Sequence, residues 1–188
     1  MTETPNPHII DADTLTGGLR PIRRVVIALG SNLGDRAATL QGALNALADT
    51  PGVDIVGVSP VYETAPVDAP EGSPKFLNAV VVADSTLHAR TLLERALAIE
   101  DAFGRVRTTP GAPRTLDVDL LVVGDKVIHE DDFVLPHPRA HERAFVLVPW
   151  AQVDPDGVIP GRGRVGDLVR SVDTTSVTRV ADLELRLE

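Results

Sequence analysis

The sequence predicts an α+β fold, a ferredoxin-like three-layer sandwich whose mainly antiparallel sheet carries flanking helices. Three observations lead there. Periodic segments follow one another in the order β-α-β-β-α-β-β-α. Strands joined by short Gly- and Pro-marked turns are mixed with amphipathic helices, which favours antiparallel pairing over a parallel doubly wound sheet. With 188 residues and 43% apolar content, the chain can bury one real core and is short for two.

Each element has its own local reason. Residues 1–22 lack periodicity and are rich in Pro, Gly and acid, so they read as a flexible N-terminal extension to a single domain spanning 23–188. The β-branched run IRRVVIAL (22–29) is a buried strand. GSNLGDR (30–36) is turn chemistry leading into a helix, where Leu40, Leu44 and Leu47 recur at helical spacing until Pro51-Gly52. VDIVGVSPVYE (53–63) reads as one strand, with Gly57 and Pro60 marking a bulge or edge position. TAPVDAPEGSP (64–74) holds three prolines and is a loop long enough to suggest function.

KFLNAVVVAD (75–84) is the next strand. Ser85 or Thr86 can cap a helix that runs through Phe103, with Leu93, Ala96 and Leu97 inside and Gly104 as its terminator. A strand over 115–123 follows, and Gly124-Asp125 is expected to turn it back into KVIH as a hairpin. EDDFVLPHPRAHERAFVLVPW passes a Pro-His-Pro turn into a short helix. Beyond Asp154 come one amphipathic piece, VGDLVRSV, and a last strand.

Composition narrows the function. There is no Cys, hence no disulfide framework and no thiolate chemistry, which fits a cytoplasmic protein. No apolar run approaches the ~18 residues of a membrane span, and the acidic, polar start is unlike a signal peptide. A net charge of −9 argues against broad nucleic-acid binding. Against that background Arg105, Arg107 and Arg114 fall in one acid-free stretch, RVRTTPGAPR, and Arg139 and Arg143 are interleaved with His137 and His141. Singly these are ordinary surface arginines; together they suit a compact anion, because the guanidinium fork matches phosphate.

In PRTLDVDLL (113–121), Leu116, Val118 and Leu120 alternate on one face while Asp117 and Asp119 share the other, roughly 6 to 7 Å apart. Two readings fit. The pair can sit on a solvated face beside arginines. Alternatively it can hold magnesium, which prefers hard oxygens and completes its shell with water and substrate phosphate. GSNLGD lacks the Walker Gly-Lys-Ser/Thr ending, so Gly30 is better read as bare backbone against a flat ligand. His137, ahead of Pro138, is held out of helix and is either a phosphate donor or a structural histidine. Phe76 and Phe145, beside Asn78 and Arg143, are a stacking pair or plain core.

The segments VIALGSNLGDR, YETAPV, KFLNAVV, RVR…PRTLDVDLL and LPHPRAHERAFVLVP, in that order, resemble the 6-hydroxymethyl-7,8-dihydropterin pyrophosphokinase family over about residues 24 to 150. The resemblance implies ATP-dependent diphosphate transfer to the pterin's hydroxymethyl oxygen, releasing AMP, in folate biosynthesis. It implies two Mg²⁺ ions on Asp117 and Asp119, and it makes Arg105, Arg114, Asp117 and Asp119 catalytic. ATP would meet Glu100, Arg105, Arg107, Arg114, Leu120, His137 and Arg143; the pterin would meet Gly30, Thr64, Ala65, Val67, Phe76, Asn78 and Phe145. One position departs: Gly111 stands where the family commonly has an aromatic, two residues before Pro113. The expected partners are ATP and a pterin, with no nucleic acid and no membrane, and the chain is expected to act as a monomer. Two other classes fit the residues: a different two-metal phosphoryl or nucleotidyl transferase, and a binding module without turnover.

Overall fold

The computed structural model describes residues 20–66, 69–103 and 116–188. In chain order the main elements are β1 (Arg23–Ser31), α1 (Arg36–Ala48), β2 (Val53–Val58), β3 (Tyr62–Thr64), β4 (Phe76–Ser85), α2 (Ala89–Phe103) and β5 (Asp117–Val123). They are followed by β6 (Ile128–Glu130), β7 (Phe133–Leu135), α3 (Ala144–Val153), β8 (Val158–Ile159), β9 (Gly163–Arg164), α4 (Val165–Leu168) and β10 (Val177–Arg179). A six-stranded sheet runs β10-β3-β4-β1-β5, with β2 beside β3 on the same flank of β4. Its pairings are all antiparallel. Helices on both faces make the three layers, as the sequence led us to expect.

Strand alternation builds the two cores. Val25, Ile27 and Leu29 of β1 point to one face and meet Leu40, Leu44 and Leu47 of α1 and Leu92, Ala96 and Ile99 of α2. Val26 of β1, with Val80 and Val82 of β4, points to the other face and meets Val146, Leu147 and Trp150 of α3. Each fully buried Leu or Val contributes about 1.5–3 kcal/mol, so these two apolar seams hold the layers together. Asp35 caps α1 by accepting from the Ala38 amide at 3.0 Å, which satisfies one of the donors that a helix start leaves open.

Four local expectations need correction. The run 53–63 is two strands: β2 and β3 part at Ser59-Pro60, where Ser59 stays on β4 through Val80, donating from its own amide at 2.9 Å and accepting on its hydroxyl at 2.8 Å. The bulge read from Gly57 is present, as a register shift between Ile55 and Gly57. Ser85 does not cap α2; its hydroxyl donates to Gly52 O at 2.6 Å and accepts from the Leu87 amide at 3.1 Å, so the helix starts only at Ala89. The inner stripe of α2 is Leu92, Ala96, Ile99 and Glu100, while Leu97 is 41% exposed, because docking on the sheet selects one phase of the stripe.

KVIH, finally, does not pair with the strand before it. Gly124 turns the chain at φ 53, but β6 pairs with β7 in a separate hairpin. Arg90 of α2 clamps that hairpin through Glu130 and Asp132, and its guanidinium lies 5.1 Å from the Phe133 ring centroid.

Candidate active site

On the α3 side of the sheet, the helix covers the row around Val26, Val80 and Val82 and stops there. Further along the strands the same face opens into a cavity of about 450 Å³. Its floor follows from register. Gly30 lies opposite Asn78 on one side and Asp117 on the other, while Ala28 lies opposite Val80 and Asp119. Small residues in β1 thus separate an amide and aromatic flank on β4 from a carboxylate flank on β5. A Cβ at Gly30 would come within 3.1 Å of Asn78 Oδ1 and 3.6 Å of the Phe76 ring, so even an alanine would press on the amide, and glycine leaves the floor open to close approach.

The amide flank is organised by Asn78, which is buried and donates through Nδ2 to Thr64 Oγ1 at 2.7 Å. That bond fixes the amide's orientation and leaves Oδ1 on the Gly30 side of the cavity. Phe76 arrives from β4, and Phe145 from the first turn of α3, with the Arg143 guanidinium 5.6 Å from its ring centroid. Ala65, Arg143, Val172, Asp173 and Ser176 complete the nearby wall, and Arg139 and Glu142 stand at the rim as an ion pair of 2.8 Å.

On the carboxylate flank Asp117 and Asp119 both line the cavity, as their shared parity requires. Leu116, Val118 and Leu120 turn into the α1–α2 core. The register of β5 on β1 slips between Val26 and Ile27, so Leu121 joins Val122 on the α3 side and the alternation reverses beyond the site. Behind the pair, Glu100 is only 5% exposed and accepts the Val118 amide at 2.8 Å. Val118 lies between the two aspartates, so Glu100 braces the backbone that spaces them. Among the described residues no group of three or more His, Cys, Asp or Glu stands together as a metal site. Two carboxylates on one face nonetheless match a magnesium ion's need for hard oxygens, with the remaining positions left for water and phosphate.

His137 sits beside this arrangement rather than in the cavity lining. Its pKa is lowered from 6.5 to about 4, first by burial and then by the Arg143 and Arg139 guanidinium groups. Its Nδ1 accepts from the Arg139 amide at 3.3 Å. The neutral ring therefore carries its proton on Nε2, free to act as a donor.

Of the residues expected from sequence, the cavity brings together Gly30, Thr64, Ala65, Phe76, Asn78, Asp117, Asp119, Arg143 and Phe145. Glu100, Leu120 and His137 are described but do not line it; the Leu120 side chain is in the core of the opposite face, so any contact it makes there is through its main chain. Arg105, Arg107, Arg114, Val67 and Gly111 lie outside the described residues. The lining residues Val172, Asp173 and Ser176 were missed, since no motif marks them and only the path of the C-terminal segment brings them in.

An antiparallel α+β sandwich with paired carboxylates facing an amide and two aromatic rings across a glycine floor has the layout of a small-molecule enzyme handling a flat heterocycle and an anion. The chain belongs to the 7,8-dihydro-6-hydroxymethylpterin-pyrophosphokinase (HPPK) family, whose model matches residues 26–155. It is 43% identical over 157 residues to the 2-amino-4-hydroxy-6-hydroxymethyldihydropteridine pyrophosphokinase of Methylorubrum extorquens, covering 84% of this chain and 98% of that protein. A Mycobacterium leprae protein of the same name is 44% identical over 181 residues, with 88% and 92% covered. Among solved structures, Plasmodium falciparum HPPK-DHPS with pteroate superposes with a TM-score of 0.68 at 13% identity, over 90% of this chain and 50% of that one. That likeness speaks for the fold, and the chain spans about half the length of the solved one.

Proposed function

We propose that the chain transfers the β,γ-diphosphate of ATP to the hydroxymethyl oxygen of 6-hydroxymethyl-7,8-dihydropterin, a step of folate biosynthesis, with the pterin on the amide and aromatic flank and the triphosphate over Asp117 and Asp119. The observation that carries this is the single row Asn78–Gly30–Asp117, which sets a flat-ring site beside a carboxylate site on one sheet face.

The residues divide the work. Asn78 Oδ1, held by Thr64, accepts from the pterin's amide edge, and the rings of Phe76 and Phe145 cover its faces. Asp117 and Asp119 would hold Mg²⁺, two ions as the family resemblance implies, which would supply charge neutralisation and orientation of the triphosphate. Arg143 and the neutral His137 donate to phosphate oxygens, a task the motif also assigns to Arg105, Arg107 and Arg114. Glu100 keeps the aspartates in place from behind. The pterin hydroxyl oxygen then forms its bond to the β-phosphorus as the bond to the α–β bridging oxygen breaks. AMP leaves, and the hydroxyl proton passes to solvent. No nucleophilic side chain is needed, because positioning and charge neutralisation supply most of phosphoryl-type catalysis.

The same reading takes 23–188 as one pyrophosphokinase domain acting as a cytoplasmic monomer, without nucleic-acid or membrane partners. No helix among the described residues is long and apolar enough to cross a membrane. An assay with ATP, Mg²⁺ and the pterin tests the proposal: AMP should form only when the pterin is present. ADP as product would point to a different kinase, and binding without turnover to a ligand-binding module.

A further inference from the structure

We infer that the C-terminal segment from Val172 to Arg186 is a strap that positions the pterin-side wall of the cavity and so sets affinity for the pterin rather than for ATP. This rests on the assignment of that wall to the pterin. The strap lies wholly beyond the residues matched by the family model, which end at 155.

Its path crosses the molecule. After α4 and the tight turn that follows, Val172, Asp173 and Ser176 line the cavity. Asp173 Oδ1 accepts from the Thr175 amide at 2.9 Å and from its hydroxyl at 2.7 Å, closing the bend that leads into β10. β10 then pairs with β3, placing Val177 opposite Thr64 and Arg179 opposite Tyr62. A three-residue strand such as β3 is marginal with one neighbour, and β10 provides the second. Thr64 is the residue whose hydroxyl orients Asn78. It also opens the proline loop at Ala65, another lining residue.

Beyond β10 the chain passes over the sheet edge and is fastened on the opposite face. The Val180 amide donates to Val61 O at 2.9 Å. Leu185 is buried in the α1–α2 core, with Val180 and Leu183 packed against it. Gln41 of α1 grips the end in both directions, donating from Nε2 to Arg186 O at 2.7 Å and accepting the Arg186 amide on Oε1 at 3.0 Å. The strap therefore ties the far helical layer to Thr64. The carboxylate flank is on the same face but toward the opposite edge of the sheet, where β5 pairs only with β1 among the described strands. Loosening the strap should disturb one flank and spare the other.

Three variants test this: truncation after Ser176, Val180→Pro, which deletes the donor to Val61, and Gln41→Ala, which releases the anchor. In full-length Val180→Pro the pterin KM should rise about tenfold, the equivalent of one well-made hydrogen bond, with the ATP KM within twofold of wild type. Truncation should do more and Gln41→Ala less, in the same direction. If the truncated chain fails to fold by circular dichroism, the two point variants carry the result. A pterin KM within twofold of wild type in Val180→Pro, or pterin and ATP constants rising together, overturns the inference. Amide hydrogen exchange separates it from the functional reading, since it needs no turnover: Val180→Pro should lose protection at Thr64 and Asn78 while Asp117 and Asp119 keep theirs. Equal loss at both flanks rejects the strap's selectivity whatever the substrate proves to be.

Discussion

Val118 presents its amide outward between Asp117 and Asp119, and Glu100 accepts it at 2.8 Å. A buried amide left without an acceptor costs about 1–3 kcal/mol, so Glu100→Leu should lose that much stability in urea titration and need more Mg²⁺ for half-maximal rate. Glu100→Gln retains an acceptor oxygen and should recover both; failure of the glutamine to rescue would mean that the negative charge itself is required. Asp117→Ala and Asp119→Ala should each abolish turnover while circular dichroism stays that of wild type. Near-normal rates in either would remove the aspartates from the chemistry. His137 bears on pH. With a folded pKa near 4 against 6.5, the unfolded chain takes up the proton first as pH falls. Its contribution is therefore constant above about 6.5, declines down to about 4, and is level below that. His137→Gln should flatten the pH dependence of unfolding in that window, and an unchanged slope would show that the ring is not protected from protonation.

Among the elements, β1 does most to shape the site, because it runs between β4 and β5 and narrows to Ala28 and Gly30 where the cavity needs a floor. Gly30→Val would drive a side chain against Asn78 Oδ1, only 3.1 Å from the Cβ position. It should raise the pterin KM more than the ATP KM in steady-state kinetics; an equal rise would indicate general distortion of the sheet. The β5 strand shows a different economy. Its first half keeps strict alternation, which aims two carboxylates one way and Leu116, Val118 and Leu120 the other. The bulge then shifts Leu121 and Val122 together onto the α3 side, where they fill space beneath Trp150's cluster.

At the scale of the molecule, one sheet serves two cores, so neither can melt without exposing the other. Trp150 is the sole tryptophan and 0% exposed, within the core on the cavity side. Its emission should be blue-shifted in the native protein, and its red shift in urea should coincide with loss of far-ultraviolet circular dichroism, which reports both helical layers. Separate midpoints would reveal two independently unfolding faces. The parity of Asp117 and Asp119, the glycine at 30, the leucine stripe of α1 and the places of β1, β4 and β5 were all legible in the chain, because strand and helix periods are set by local covalent geometry. The partner of β6, the division of 53–63 between β2 and β3, the phase of α2 and the reach of the C-terminal strap into the cavity were not. Those depend on which edges and faces remain open once distant segments have packed, and sequence spacing carries no term for that competition.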